Sequence, residues 1–556
     1  MVVLRPQSDF GHAPPPQSPY SIISNLPGWD LLRGFRDGDM SALPRIVHIY
    51  PRFGPTQFAA QLGQEVAKRL GHEGKSCMLY LNPIMWSFTT GHVQNEHREE
   101  AAIGPEKLTF KCVDVAGHRL YAVLFEPMHT KALLLSWGAP GLGLSIRSAE
   151  YLLGNVDSLV QVPVDDHENP PEPTFTPDGP AHQLLRERIN QLVHRAAVDP
   201  EAVKSRPGDV FLFPTGMAAV FHTTNLIQDY RPGTNVVIGV IFHNTHHHLL
   251  EESPNGFKIF GKVDEKGLDE LESWLEEEAR QGNKVSFVIV EFPGNPTLES
   301  TDLPRLKHLS EKHGFVLVID DTLAGFANVD VLACSDILLT SLTKSFNGRA
   351  DALGGSIVLN PLSPHYDELS SRLARSHRNE LYEADAKVLL ANSHDFIQRT
   401  RRLNRNAEAM ATFLHRSIGR DDSPVVKVQY PTLLASKPNY DRFLRHSTAE
   451  LPNPGYGCLL NVEFESVETA QAFYNRCGFY SSPHLGGHVT VMLPYNMMMF
   501  GRKPEEKETF RSFGAIEESV RISAGLEDQE DLIDTLKDAL DAAVAVKKAV
   551  APNGTK

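Results

Sequence analysis

The sequence predicts an α/β protein built on a central, mostly parallel sheet. Between Asp209 and Pro361, short apolar runs (DVFLFP, NVVIGVIF, VSFVIVEFP, FVLVIDDT, DILLTSL and GGSIVLNP) are separated by helical segments such as LDELESWLEEEARQ and LPRLKHLSEKHG. Continuous apolar runs suit strands buried on both faces, which requires helices above and below the sheet. The composition agrees, since 41% hydrophobic against 22% charged residues describes a globular chain with a large core.

A chain of 556 residues exceeds the length at which single cores stop growing, and three units are expected. The first, 1–170, begins with MVVLRPQSDFGHAPPPQSPY, which is rich in proline and reads as a flexible tail. Behind it FAAQLGQEVAKRL has helical spacing, while SCMLYLN, LYAVLFEP and KALLLSW read as strands of a separately folded region. Prolines, glycines and acids from 162 to 180 (VPVDDHENPPEPTFTPDGP) mark a loop or boundary. The second unit, 171–395, carries the central sheet. The third, 396–556, starts with the long helical pattern FIQRTRRLNRNAEAMATFLHRSI and is α+β, with strands in GCLLNVEF and VTVMLPY and the amphipathic helix EDLIDTLKDALDAAVAVKKAV.

Sixty-nine acidic against 54 basic residues give a net charge of -15, which opposes attraction to nucleic acid and to anionic membranes. No run of about 18 or more apolar residues provides a membrane span, and the N-terminus lacks the apolar core of a secretory signal. Cys77, Cys112, Cys334, Cys458 and Cys477 are far apart, so neither a disulfide framework nor a thiolate metal site is suggested. A cytoplasmic location fits these features.

In open α/β sheets chemistry gathers beyond the carboxyl ends of the strands. Three such ends matter. At DVFLFPTGMAAV the chain passes through Thr215, Gly216 and Met217 into a helix, whose first amides would face an anion; a tight turn explains the glycine equally. FVLVIDDT ends in Asp320 and Asp321, and a carboxylate at a buried strand end needs a partner or a protonated state; a helix cap is the plainer reading. DILLTSLTKSFNG sets Lys344 behind Ser341 and Thr343. A partly desolvated lysine loses basicity and forms a Schiff base with an aldehyde, whereas a solvated strand-end lysine does nothing. Together these ends meet the three demands of pyridoxal phosphate: an anchored phosphate, a carboxylate on the ring nitrogen, and a covalent lysine.

These segments resemble the cystathionine γ-synthase-like enzymes of the pyridoxal-phosphate Cys/Met metabolism family. PTGMAA is similar to that family's S-G-M-A-A turn, EFPGNPTLESTDLPRL to its E-x-P-x-N-P segment, and VIDDT to its V-D-N-T strand end. SLTKSFNGRADALGGSIV resembles its S-x-T-K-x-x-x-G-H-x-D-x-x-G-G, and SVRISAGLEDQEDLIDTL its strand with a carboxylate-binding arginine. The matches run in order over roughly 210 to 540, and IYPRF and WGAPGLGLSIRSAEYLL resemble the long fungal form. The resemblance implies a fold-type I, aspartate aminotransferase-like transferase with Lys344 as the aldimine lysine and proton shuttle and Asp320 on the ring nitrogen. It also implies Thr215, Gly216, Met217, Ser341 and Thr343 at the phosphate, Asn295 near cofactor or substrate carboxylate, and Arg521 as the carboxylate clamp. A further arginine reaching a neighbouring subunit's phosphate is expected at Arg147, with Ser145 where the family has tyrosine; the pair Tyr50 and Arg52 is the competing placement. The assembly implied is a homodimer or homotetramer with shared active sites.

Two segments depart from the family pattern. HLGG sets His484 where the family has serine, and VIFHNTHHHL offers Phe242 in place of a ring-stacking tyrosine. Within it His243, His246, His247 and His248 raise a metal site, but adjacent histidines diverge and no thiolate or HExxH pattern accompanies them, so no metal is expected. The activity implied is γ-substitution: an O-acylated homoserine loses its acyloxy group through a vinylglycine intermediate, and cysteine or another thiol adds. His484 and the histidine-rich segment motivate a carbon nucleophile, a ketone or β-keto acid, as the alternative. A γ-lyase and a non-catalytic scaffold complete the readings.

Overall fold

The computed structural model describes residues 2–95, 102–174 and 178–550, and they form three sheets. The first contains β1 (Ser76–Tyr80), β2 (Thr109–Val115), β3 (His118–Phe125) and β4 (Val160–Val162), antiparallel in the order β1-β3-β2-β4. KALLLSW, expected as a strand, belongs instead to the helix Thr130–Gly138. A short apolar run without alternation satisfies both periods, and the long buried stripe Ala132, Leu133 and Trp137 decides for the helix. From 163 to the helix starting at Pro180 the described residues form neither helix nor strand; Phe175, Thr176 and Pro177 of the expected boundary lie outside the described residues.

The second sheet is built from β5 (Val210–Phe213), β6 (Thr234–Ile238), β7 (Phe257–Phe260), β8 (Val285–Glu291), β9 (Val316–Asp320), β10 (Ile337–Thr340) and β11 (Gly355–Leu359). Its order is β5-β11-β10-β9-β8-β6-β7, with β11 antiparallel to both neighbours and the remaining pairs parallel. The seven residues of β8 and the five of β11 are buried throughout, as two-sided coverage demands. Their side chains divide between two cores, Val288 and Val290 in one, Phe287 and Ile289 in the other.

The third sheet, β12 (Val425–Gln429), β13 (Leu459–Phe464), β14 (Tyr480–Ser481), β15 (Val491–Leu493) and β16 (Ser519–Ser523), runs in the order β12-β13-β16-β15-β14. The helices Phe396–His415 and Gln529–Val550 accompany it, close to the segments read as helical.

The N-terminal segment corrects the expectation of a flexible tail, since it packs from its first residues on, with Ala13 fully buried. Leu26, Trp29, Leu32, Ile46 and Ile49 are buried in one core with Phe473, Phe479 and Leu536 of the third unit. Backbone bonds fix the path: Ile22 N–H donates to Ala350 O (2.8 Å) and Leu26 N–H to Ser481 O (3.0 Å). The proline-rich sequence forbids helix but not burial of its apolar side chains. This path delivers Tyr50 to the carboxyl end of β10, an interior strand of the central sheet.

Candidate active site

Strand register builds the site. Glu291 at the end of β8 stands opposite Asp320 at the end of β9, and Asp320 opposite Leu339 of β10. Three carboxyl ends are therefore level, and Ser341, Thr343 and Lys344 follow directly. On the other side the helix Gly216–Tyr230 begins after β5, with Thr215 as its cap accepting from Ala218 N–H at 2.9 Å. One cavity is lined by Thr215, Gly216, Met217, Phe242, Asn295, Asp320, Ser341, Thr343, Lys344 and Arg521, and also by Tyr50, Arg52 and Glu291.

The anion-binding end is closely built. A Cβ on Gly216 would lie 2.7 Å from Ser341 Cβ and Oγ, so only glycine lets the helix start approach the serine. Arg52 lines the same cavity, donates from Nη1 to Gly138 O at 2.9 Å, and among the described residues has no carboxylate partner. Burial lowers its pKa to about 10. Thr215 and Thr343 have their hydroxyls engaged by backbone: Thr215 donates to Gly141 O (3.0 Å), and Thr343 exchanges hydrogen bonds with Gly354 O and N (3.1 Å each). They brace the cradle, which Gly216, Met217 and Ser341 also line.

Lys344 Nζ donates to Tyr50 Oη at 2.8 Å. Burial alone would raise the Tyr50 pKa, but the charges of Lys344, Arg52 and Arg521 bring it below the ordinary phenol value. Asp320 accepts from Thr322 N–H at 2.9 Å, and burial pushes its pKa up to about 6. Burial and the neighbouring Asp320 raise Glu291 well above the ordinary carboxylate range, despite a 2.7 Å bond from Phe242 N–H. Glu291 was not anticipated, although it meets the criterion applied to Asp320: an acid closing a buried strand.

Arg521, on β16, donates to Asn295 Oδ1 (3.0 Å) and Pro483 O (2.8 Å), and its Cζ lies 4.1 Å from the Tyr495 ring centre. It too lacks a carboxylate partner among the described residues. No sequence signal marked Tyr495, which also accepts from His243 N–H and meets His243 Nδ1 at 2.9 Å.

Two residues of the expected site stand away from this chain's cavity. Arg147 does not line it: it pairs with buried Asp385 (2.9 Å), donates to Asp351 O (2.6 Å) and covers the Tyr20 ring. Its charge is already answered, and Ser145 beside it serves as a helix cap. Tyr50 and Arg52 line the cavity of the same chain as Lys344. His484 also stands off the cavity wall, buried behind Tyr50 with ring centres 6.4 Å apart and neither ring nitrogen hydrogen-bonded. Burial, then the charge of Lys344, keeps it neutral. In the histidine cluster, donor atoms of His246, His247 and Glu506 lie within 4.8 Å of one another, and His247 Nε2 already meets Glu506 Oε1 at 2.6 Å.

The donor set fits pyridoxal phosphate: a glycine-dependent cradle with a guanidinium free of carboxylates among the described residues for phosphate, a half-buried acid for the ring nitrogen, an amine between them, and a second such guanidinium for a carboxylate. The class defined by fold and site is that of fold-type I pyridoxal-phosphate enzymes. Residues 195–541 match the family model described as Cys/Met metabolism PLP-dependent enzyme, and the chain belongs to that family. It is 30% identical to a cystathionine gamma-synthase-like enzyme, iboG2, of Amanita muscaria over 98% of each chain. It is 29% identical to a protein named alanine racemase ungC of Aspergillus violaceofuscus over 97% of each. A solved structure of a putative O-acetylhomoserine (thiol)-lyase from Campylobacter jejuni, containing N'-pyridoxyl-lysine-5'-monophosphate, superposes with a TM-score of 0.53 at 21% identity, over 65% of this chain and 87% of that one.

Proposed function

We propose that this chain is a transferase that carries out γ-substitution on an O-acylated L-homoserine. One observation carries the reading: two guanidiniums without carboxylate partners among the described residues, the half-buried Arg52 and the buried Arg521, line a single cavity that also holds Lys344 and Asp320. Buried cations call for anions. The phosphate is assigned to Arg52, Ser341 and the amides of Gly216 and Met217, with Thr215 and Thr343 as braces. The amino-acid carboxylate is assigned to Arg521 and Asn295, and Phe242 to the ring face.

When bound, pyridoxal phosphate supplies an electron sink that acidifies the carbon beside the substrate's amino group. Asp320 presents a carboxylate to the ring nitrogen, a role that the ring's positive charge favours by lowering the acid's raised pKa. Lys344 Nζ takes the α proton and then a β proton of the substrate, and Tyr50 Oη holds a proton at Nζ between the two transfers. Departure of the acyloxy group as a carboxylate opens the γ carbon to a nucleophile, with cysteine or another thiol as the first choice.

A carbon nucleophile is the second reading, favoured by a wide chamber that adjoins the cavity at Arg52. The racemase name of one relative adds α-proton exchange on alanine to the possibilities tested. The five free cysteines and the negative charge support a cytoplasmic enzyme. A homodimer or homotetramer is the proposed assembly, with the three units 1–170, 171–395 and 396–556 in each chain.

The test offers O-acetylhomoserine and O-succinylhomoserine to the holoenzyme with cysteine, then with acetoacetate, and reads products by mass. Cystathionine alone removes the carbon reading, and a carbon adduct alone removes the thiol reading. Keto acid and ammonia alone identify a γ-lyase. No acyl release, with deuterium entering alanine, replaces γ-substitution by racemisation, and inertness to every substrate leaves the scaffold.

A further inference from the structure

The helix His243–Glu251 carries a cluster of side chains that the proposed reaction does not use. His246 and His247 lie on this helix, between β6 and β7 of the central sheet, and Glu506 lies in the first turn of the helix Pro504–Ser512, which precedes β16 of the third sheet. Neighbouring positions on a helix diverge by about 100° around its axis. One donor atom from each of the three residues nonetheless falls within 4.8 Å of the others, with Glu506 arriving from a different helix.

His246 is 6% exposed, and its ring meets Phe257 and Phe510 edge-on at 5.5 and 5.0 Å. Its Nδ1 has no hydrogen-bond partner among the described residues. Burial and then the neighbouring His247 lower its pKa to about 3, so the imidazole is neutral and offers a lone pair without first losing a proton. His247 Nε2 meets Glu506 Oε1 at 2.6 Å. A hydrogen bond accounts for that pair, but it leaves the buried polar ring of His246 unanswered.

Two imidazoles and one carboxylate are a sufficient set of protein ligands for zinc with a fourth position left open. All three residues line an open chamber through which an ion and a water could enter. Ligands around tetrahedral zinc stand roughly 3.4 Å apart, so the His247–Glu506 contact would open by about 0.8 Å. The field of the chamber does not by itself favour a cation: Lys131, Lys258, Arg502 and Lys503 line it against Glu251, Glu505 and Glu506. Selection therefore comes from the imidazole donors, which suit zinc and its neighbours and give a hard ion such as Mg²⁺ little.

We propose that His246, His247 and Glu506 bind one divalent ion of the zinc type, which clamps the helix His243–Glu251 to the helix Pro504–Ser512. The clamp lies about one helical turn from Phe242, which lines the catalytic cavity, and from His243, which is bonded to Tyr495. It is independent of the reaction assigned to that cavity.

The experiment strips the holoenzyme of metal with a chelator, desalts it, and titrates it with Zn²⁺, Co²⁺ and Mg²⁺ while bound metal, visible absorption and Tm are read. One Zn²⁺ per chain is expected, with ligand-field bands in the Co²⁺ form and a higher Tm in Zn²⁺, since an ion held only by the native state stabilises it by mass action. Mg²⁺ should do neither. Glu506→Gln keeps a hydrogen-bond partner for His247 but removes the carboxylate; it and His247→Gln should each weaken Zn²⁺ binding by at least about 100-fold, the upper end of what outer-shell changes cost. Glu508→Gln, exposed on the same helix, should bind as the wild type does. Absent binding, uptake that Mg²⁺ matches, uptake that does not saturate at one equivalent, or binding that survives both variants overturns the inference. Should the variants fail to fold, acylation of wild-type His247 by diethyl pyrocarbonate decides: protection by Zn²⁺ and not by Mg²⁺ supports the site, and equal modification with either ion refutes it.

Discussion

Tyr50 Oη and Lys344 Nζ meet at 2.8 Å, although 294 residues separate them in the chain. The contact joins the N-terminal segment to the end of β10 and leaves both groups buried. The proposed proton traffic depends on it. Tyr50→Phe should lower kcat by about 10²- to 10⁴-fold while retaining cofactor, since positioned acid–base groups contribute on that scale. It should also remove from the pH profile of kcat the alkaline limb belonging to a phenol of depressed pKa.

Arg52 sits in the cavity as a half-buried cation without a carboxylate partner among the described residues, and its removal should have opposite effects on the apo and loaded protein. Arg52→Met relieves an unanswered charge, so the apo protein should melt at an equal or higher temperature. Cofactor affinity should fall by at least ~30-fold, the lower end of the loss on deleting one partner of a buried charge pair. Melting curves with and without pyridoxal phosphate check both signs.

Asp320 gives a pH dependence with a defined direction. Its folded pKa of about 6 exceeds the ordinary 3.8, so between these values the native apo protein binds more protons than the unfolded chain. Its contribution is fully present below the unfolded value and is lost as pH rises through about 6, by roughly 3 kcal/mol. From pH 4.5 to 7 the wild-type apo protein should therefore lose more stability than Asp320→Asn. Holoenzyme carrying the same substitution should lose ~10²-fold or more in kcat.

Much of this site was readable before any coordinates, because pyridoxal phosphate needs chemically distinct groups at strand ends. Strand ends are legible wherever apolar runs stop, and for this reason Thr215, Gly216, Asp320 and Lys344 stood out together. Glu291 followed the same rule and was passed over. Tyr50 and Arg52 were harder, since nothing local says that a proline-rich segment packs on the third sheet and reaches Lys344. The pairing of Arg147 with the buried carboxylate of Asp385 was equally illegible, because the two are distant in sequence. KALLLSW was lost to the ambiguity of short apolar runs.

His484 holds an uncharged imidazole with both nitrogens buried and unbonded behind the Tyr50 ring. Its bulk limits how far Tyr50 can retreat from Lys344. His484→Ser should loosen this wall, destabilising the fold by about 1–3 kcal/mol through the space left. It should shift the ratio of kcat/KM for cysteine over acetoacetate by roughly tenfold or more, the scale of a small change in pocket shape. The ratio measured on both enzymes decides.

The central claim is that one cofactor is held covalently by Lys344 in the cavity it shares with Asp320 and Arg52. Borohydride reduction of the holoenzyme followed by peptide mass mapping tests it most directly. The account predicts a single pyridoxyl-phosphate adduct on the peptide containing Lys344, absent from Lys344→Ala. An adduct on another lysine, or a wild-type protein that binds the cofactor without any adduct, would contradict it.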